Sequence, residues 1–228
     1  MRRIMIVDDH PIVRDGLAQL ISQKSGHEFE IVGMAGSVTE ALSLLKTLSP
    51  DMVIVDISLE GTDGTEFIKT IKAMGHDSRI LVFSMYDESL YAERVLEAGA
   101  DGYIMKQEEP SEIFNAICAV AQGEVYFSNR IIAKMIRRKT SSSSESFVTA
   151  IDSLTDRELQ TFRLLGLGWK TQQIADELHL SMKTVETYCA HIKTKLDLQH
   201  FNELIQHAVQ WVNSRSAEDA QESKAMRI

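Results

Sequence analysis

The residues best placed to do chemistry stand at the ends of short apolar runs. Asp8 and Asp9 follow IMIV (4–7), Asp56 lies near the end of MVIVDI (52–57), Ser84 closes RILVFS (79–84) and Lys106 follows GYIM (102–105). If each run is a strand of one parallel sheet, these groups emerge at strand carboxyl ends, where doubly wound folds place their chemistry. Close carboxylates cannot all ionise comfortably without a compensating cation. A divalent ion with oxygen ligands and retained waters meets that need, and Mg2+ is the expected one. With Lys106 it would neutralise charge on a transferred phosphoryl group, while the Ser84 hydroxyl bonds one of its oxygens. An isolated Asp-Asp pair is more often a solvated strand end or a helix cap. The weight comes from Asp56, Ser84 and Lys106, each at a strand end of its own.

Those runs, with EIVGMA (30–35), are short and rich in Ile, Val, Met or aromatics, as strands are. Amphipathic stretches alternate with them: Pro11–Lys24, Val38–Leu48, Thr65–Met74, Ser89–Ala98 and Pro110–Gln122. Leu42, Leu45 and Leu48 recur at helical spacing, as do Ile113, Ile117 and Val120. Pro11 and Pro110 suit first-turn positions, where a missing N–H is harmless. Five repeats of strand then helix predict an α/β doubly wound five-stranded parallel sheet, flavodoxin-like, with both faces covered.

Beyond the Ser-rich TSSSSES (140–146) the strand pattern disappears. Thr155 and Glu158 fit a capping box that opens a helix to about Leu165, ended by Gly166 and Gly168. A short helix follows from Thr171 to Leu178, then a turn at 179–181, then a third helix from Ser181 to about Leu196 and a fourth over about 202–212. Two helices joined by a three-residue turn read as helix-turn-helix, in a small all-α four-helix module. On the third helix Val185, Cys189, Ile192 and Leu196 share one stripe and should face the core. Lys183, Thr187, Ala190 and Thr194 fall on the opposite side, flanked by Glu186 and His191. This face is small enough to approach base edges in a major groove. Thr187 and Ala190 could contact thymine methyls and Glu186 a cytosine amine, with Lys183, Lys193, Lys195 and Lys170 addressing phosphate.

The organisation follows: 1–122, a connector over 123–151, the helical module over 152–212, and a fraying tail over 213–228. Their formal charges are −10, +3, −2 and 0, within −9 for all 228 residues. The acidic first part is no general nucleic-acid surface, whereas the third C-terminal helix is locally +2. Arg137, Arg138 and Lys139 read as a solvated connector run rather than a DNA arm. Two lone cysteines form no disulfide framework and no metal pair, which fits a reducing cytoplasm. No apolar run approaches the ~18–20 residues needed to span a bilayer, so no membrane partner is expected. Two rivals stay open. A phosphatase of the haloacid-dehalogenase type also uses a strand-end Asp, but wants a second Asp two residues on, where Ser58 stands. A four-helix adaptor that binds only proteins would fit the −2 charge of 152–212.

VDD (7–9), VD (55–56), FS (83–84) and GYIMK (102–106) resemble the receiver domain of bacterial two-component response regulators, over about residues 2–122. The segment 154–196, with L-T-x-R-E, I-A-x-x-L, T-V-E-T and K-L in order, resembles the LuxR-type DNA-binding domain. Together they make the chain similar to regulators of the NarL/FixJ class. The resemblance implies that Asp56 accepts a phosphoryl group from a sensor histidine kinase. It implies Mg2+ held by Asp9, Asp56 and the Ser58 carbonyl, with Asp8 acting through water. Lys106 and Ser84 would bond the phosphoryl group, and Tyr103 would be an aromatic switch. It further implies a cytoplasmic transcription factor, no enzyme beyond its own phosphorylation and slow dephosphorylation, that binds double-stranded promoter DNA as a homodimer when phosphorylated. RNA polymerase is a further candidate partner. The DNA contacts would come from Lys170, Lys183, Thr184, Glu186, Thr187, Ala190, His191, Lys193 and Thr194. The chain departs from the usual patterns at Gln107, where many receivers have Pro, and at Tyr188, where a His is common. Thr171, Gln172 and Gln173 also stand where Asn-Lys-Glu is common, and Lys occurs in some members at the position of Glu186.

Overall fold

The computed structural model describes residues 1–59, 64–129, 131–133, 150–151 and 153–225, with side chains of the last helix described to 214. The Ser-rich 140–146 and the run 137–139 lie outside them. The chain divides into two compact units, Met1–Ser141 and Ser142–Ile228.

The first unit alternates β1 (Arg2–Val7), α1 (Pro11–Lys24), β2 (Phe29–Ala35), α2 (Val38–Leu48), β3 (Met52–Val55), α3 (Gly64–Ala73), β4 (Arg79–Ser84), α4 (Glu88–Glu97), β5 (Gly102–Met105) and α5 (Pro110–Gln122). These match the expected elements to within two residues at each end. The sheet is parallel throughout, in the order β2-β1-β3-β4-β5. From β1 the chain steps one way to β2, then back across to β3. Right-handed crossovers therefore put α1 on one face and α2 to α4 on the other. The packing agrees: Ile4, Ile6, Met52, Ile54, Leu81 and Phe83 meet Leu17 and Ile21 of α1 and Ile113, Ile117 and Val120 of α5. The alternate side chains Met5, Val53, Val55, Ile80 and Val82 are just as buried. Strands covered on both faces have no polar alternation to show, which is why these runs are continuously apolar. The reversal between β1 and β3 opens a crevice beyond their carboxyl ends, and Asp8, Asp9 and Asp56 are there.

One feature of this unit was not legible in the sequence. The start of the expected connector runs along the free edge of β5, with Tyr126 bridged to Gly102 in parallel. The Tyr103 amide donates to the Tyr126 carbonyl (2.8 Å) and the Tyr126 amide to that of Asp101 (3.0 Å). Covering an edge strand satisfies backbone groups that would otherwise invite pairing with another chain.

The second unit holds α6 (Asp156–Gly166), α7 (Thr171–Glu177), α8 (Met182–Lys195) and α9 (Phe201–Ala225). Thr155 and Glu158 form the expected capping box, each side chain taking the other's backbone N–H. His179, at φ +54°, turns the chain between α7 and α8. Ser181 then caps α8 by accepting from the Thr184 amide at 3.1 Å. The last helix continues to Ala225, thirteen residues past the boundary expected at 212. Polar 213–225 has no apolar stripe to announce a helix, yet its Ala and Glu are good helix formers in continuation of α9.

Candidate functional site

Lys106 anchors the first site. Its ammonium lies 2.7 Å from Asp56 Oδ2 and 2.6 Å from Asp8 Oδ2. Both acids are 2% exposed, so the cation compensates two carboxylates withdrawn from water. The positions follow from strand geometry. The Asp56 amide donates to the Val7 carbonyl (2.8 Å) and continues the β1–β3 register, while the Lys106 amide donates to the Ser84 carbonyl (2.8 Å). Asp56 Oδ1 accepts from the Ser58 amide at 2.9 Å and Asp8 Oδ1 from that of His10 at 2.9 Å, fixing both carboxylates. Burial raises the Asp56 carboxyl above the ordinary range, and Lys106 only partly offsets it. The Lys106 ammonium is held above its usual range, its own burial being outweighed by Asp56 and Asp8.

Ligand atoms of Asp8, Asp9, His10 and Asp56 lie within 4.8 Å of one another. Asp8 and Asp56 are buried and Asp9 half-buried, and carboxylates gathered this closely fit a hard divalent cation. No motif in the sequence singles out His10, yet its Nδ1 lies 2.6 Å from Asp9 Oδ1. Its place directly after Asp8 and Asp9 was the available signal. The Arg14 guanidinium donates to the Asp8 carbonyl and steadies the same loop, which only the first turn of α1 could have suggested.

Ser84 and Tyr103 are fully buried beside this cluster. The Ser84 hydroxyl accepts from the Tyr86 amide at 3.2 Å, and the Tyr103 phenol donates to the Tyr86 carbonyl at 2.8 Å. Tyr86 stacks on Tyr91 of α4, with ring centroids 5.2 Å apart. Burial pushes the Tyr103 phenol well above its ordinary range, so it remains a donor. Tyr86 thus joins the two residues the sequence singled out, through backbone groups that no pattern of types displays.

On the second unit the expected faces of α8 separate cleanly. Val185, Cys189, Ile192 and Leu196 are buried, whereas Lys183, Glu186, Thr187, Ala190, His191 and Thr194 are exposed and Thr184 and Lys193 half-buried. Burial pushes the Cys189 thiol up to about 11, as suits a small packed group. The hydroxyls of Thr187 and Thr194 donate to the carbonyls of Lys183 (2.9 Å) and Ala190 (3.1 Å), four residues back. With its proton so used, each side chain offers a methyl and acceptor lone pairs outward. The Thr184 hydroxyl is 2.7 Å from that of Ser181 and is part of the cap. Lys170, ahead of α7, is exposed.

Lys195 differs from expectation. Rather than reaching outward for phosphate, its ammonium lies 2.6 Å from Glu158 Oε2 and 3.0 Å from the Ser153 carbonyl. Glu158 is buried and also has His191 Nδ1 3.5 Å from its other oxygen. A charge confined in the capping box needs a cation, and the last turn of α8 supplies it.

Comparison with known proteins agrees with both halves. Residues 4–118 match the response regulator receiver domain, and residues 152–208 the bacterial regulatory proteins of the luxR family. A nitrate/nitrite response regulator protein homolog of Haemophilus influenzae is 34% identical over 86% of this chain and 90% of its own length. The virulence factors transcription regulator BvgA of Bordetella pertussis is 34% identical over 89% of this chain and 94% of its own. Among solved structures, a LuxR-family two-component response regulator from an Aurantimonas species is 36% identical. It covers 62% of this chain and 99% of that one, with a TM-score of 0.55. Among the described residues no helix is long and apolar enough to cross a membrane.

Proposed function

The chain belongs to the transcriptional response regulators that join a receiver domain to a LuxR-type DNA-binding domain, and from that premise we propose that Asp56 is its phosphoacceptor. The observation that carries this is the Lys106 ammonium, 2.7 Å from Asp56 Oδ2 and 2.6 Å from Asp8 Oδ2. A carboxylate oxygen of Asp56 attacks the phosphorus of a phosphohistidine on a sensor kinase; the P–N bond breaks as the P–O bond forms, and the imidazole departs. Asp9, Asp56 and the Ser58 carbonyl would hold Mg2+, with Asp8 acting through water. The ion supplies charge neutralisation for the phosphoryl oxygens. Lys106 moves from sharing two carboxylates to pairing with the phosphoryl group. Ser84 turns its hydroxyl toward a phosphoryl oxygen and gives up the Tyr86 amide, and Tyr103 follows because its phenol is tied to that same residue. The reaction stops at one phosphoryl group per chain, apart from slow self-hydrolysis, which separates this reading from a phosphatase.

The receiver spans 1–122, with a connector over 123–151 and the DNA-binding module over 152–212. The exposed side of α8 enters the major groove of promoter DNA, with Thr187 and Ala190 toward thymine methyls and Glu186 toward a base amine. Thr184, His191 and Thr194 border that contact, while Lys170, Lys183 and Lys193 neutralise phosphates. Two phosphorylated copies bind paired half-sites, each raising the effective concentration of the other, in the cytoplasm, where RNA polymerase is the machinery to be recruited.

Acetyl phosphate with Mg2+ tests the first part by intact mass. Wild type should gain one phosphoryl group per chain and Asp56→Asn none; equal labelling of the two excludes Asp56. A salt-dependent shift of promoter DNA, lost in Lys183→Ala and Thr187→Ala, tests the second. Binding by both variants as tight as wild type excludes the assigned face.

A further inference from the structure

Of the ties that hold the segment after α5 to the receiver, those at the Tyr126 backbone and at the Ser128 amide lie against the residues of the switch. On the edge of β5, the amide that holds the Tyr126 carbonyl belongs to Tyr103, the residue whose phenol is bound to Tyr86. Two residues on, the Ser128 amide donates to Glu88 Oε1 at 2.8 Å, forty positions away in sequence. Glu88 opens α4 and follows the loop that carries Ser84, Tyr86 and Asp87. Ser128 in turn begins a new helical turn: its hydroxyl accepts from the Ile131 amide at 3.3 Å and its carbonyl from the Ile132 amide at 3.1 Å. Phe127 and Ile131 are buried, so this stretch is seated rather than loose.

We propose that residues 124–129 are a strap of the receiver, latched by Glu88 to Ser128, through which the state of the Ser84–Tyr86–Tyr103 group reaches the connector. This deepens the function proposed above and rests on its reading of Asp56. The strap has two backbone hydrogen bonds at Tyr126, on a strand edge that stays in place, and one at Ser128, on a helix terminus that follows a movable loop. When Ser84 releases the Tyr86 amide, loop 84–87 shifts and carries the Glu88 carboxylate with it. The Ser128 amide is then left without its acceptor, while the Tyr103–Tyr126 bond persists. The latch is poised for release. Asp87 and Glu108 both repel the Glu88 carboxylate, which burial already raises above the usual range, and the amide of Ser128 counters this. A connector whose first turn is capped or uncapped differs in how firmly it is anchored, whichever surface the receiver then presents.

Hydrogen–deuterium exchange on the full-length chain tests this, with acetyl phosphate and Mg2+ as the probe and intact mass read on the same sample. In wild type, the peptide holding Phe127 to Ile131 should exchange about tenfold faster after phosphorylation. Glu88→Ala should show that faster exchange without any phosphoryl donor, while still taking up one phosphoryl group. Asp56→Asn should stay slow under both conditions. Full phosphoryl uptake in wild type with unchanged exchange in this peptide overturns the strap and leaves Asp56 standing. Wild type that takes up no phosphoryl group overturns both. The wild-type comparison decides the matter even if Glu88→Ala folds poorly.

Discussion

At the strand ends, the buried Asp8 and Asp56 meet the half-buried Lys106 at 2.6 and 2.7 Å. On α8, Lys183, Glu186, Thr187 and Ala190 stand in solvent, with their backbone capped and their apolar stripe turned away. The first surface invests in charges that are costly to bury and that, on the function proposed, one added group would change. The second keeps its charges hydrated, and on the function proposed a phosphate backbone would displace their counterions. A site of the first kind is switched by chemistry within it, and one of the second kind by what brings it to its target. The two Trp residues, Trp169 and Trp211, both belong to the second unit, so their fluorescence reports on it.

The contrast breaks most sharply at Lys106. Lys106→Met leaves two buried carboxylates without their cation and should cost the receiver about 3–5 kcal/mol at neutral pH. The loss should shrink as pH falls, because Asp56, whose carboxyl burial already raises, is then protonated in the folded state. Urea unfolding followed by far-UV circular dichroism reads it, and the Trp transition should not move. A Lys106→Met receiver as stable as wild type at pH 7 would mean that the pair is open to water.

Gly166→Ala is the counterpart in the second unit. A Cβ there would lie 2.4 Å from the Ala208 carbonyl oxygen and 2.7 Å from Val212 Cγ2, so α6 and α9 would have to part. Overpacking of this kind costs about 1–3 kcal/mol. The Trp transition should fall accordingly, with Trp211 held against Phe162 at 5.6 Å, while phosphoryl uptake stays at the wild-type level.

Asp56→Asn should have a smaller effect and the opposite sign. Burial raises the Asp56 pKa in the folded state, so the folded form binds the proton more tightly than the unfolded chain. The stability linked to this group is therefore fully present below its ordinary value of 3.8 and is lost as pH rises through the folded value. Asparagine titrates nowhere in that window and leaves Lys106 paired with Asp8. The variant should gain about 1 kcal/mol at pH 7 and nothing at pH 3.5, measured by urea midpoints of the receiver. A variant less stable than wild type at pH 7 would show that the Lys106 pairing outweighs burial.

How much of this the sequence displayed follows the same division. Asp8, Asp56, Ser84 and Lys106 were legible because a parallel sheet turns position in the chain into position in space: the last residue of each strand must reach one rim. The buried stripe of α8 was legible because period alone assigns Val185, Cys189 and Ile192 to one side. What stayed hidden depends on backbone atoms or on distant partners. The Tyr86 carbonyl carries no residue-type signal, and nothing in 123–128 announces a bridge to the edge of β5. Lys195 could not be separated from Lys193 by spacing, since what distinguishes them is a carboxylate 37 residues upstream.

That separation makes the smallest and finest prediction. Lys183 lies exposed in the first turn of α8, where an ammonium beside DNA would displace a condensed counterion. Lys183→Ala should weaken binding to every DNA sequence alike and lower the steepness of log K against log salt by about one. Lys195 already has its partners, Glu158 Oε2 at 2.6 Å and the Ser153 carbonyl at 3.0 Å, and releases no counterion on binding. Lys195→Ala should leave the salt slope at the wild-type value. It should instead lower the Trp-reported stability, because Glu158 remains buried with one cation fewer. Adding Glu158→Gln to Lys195→Ala removes the uncompensated charge and should restore part of that stability, still without touching the slope. If Lys195→Ala lowers the slope as much as Lys183→Ala does, the ammonium leaves Glu158 for DNA. The division between a hydrated face and an internally paired one would then fail at the last turn of the helix.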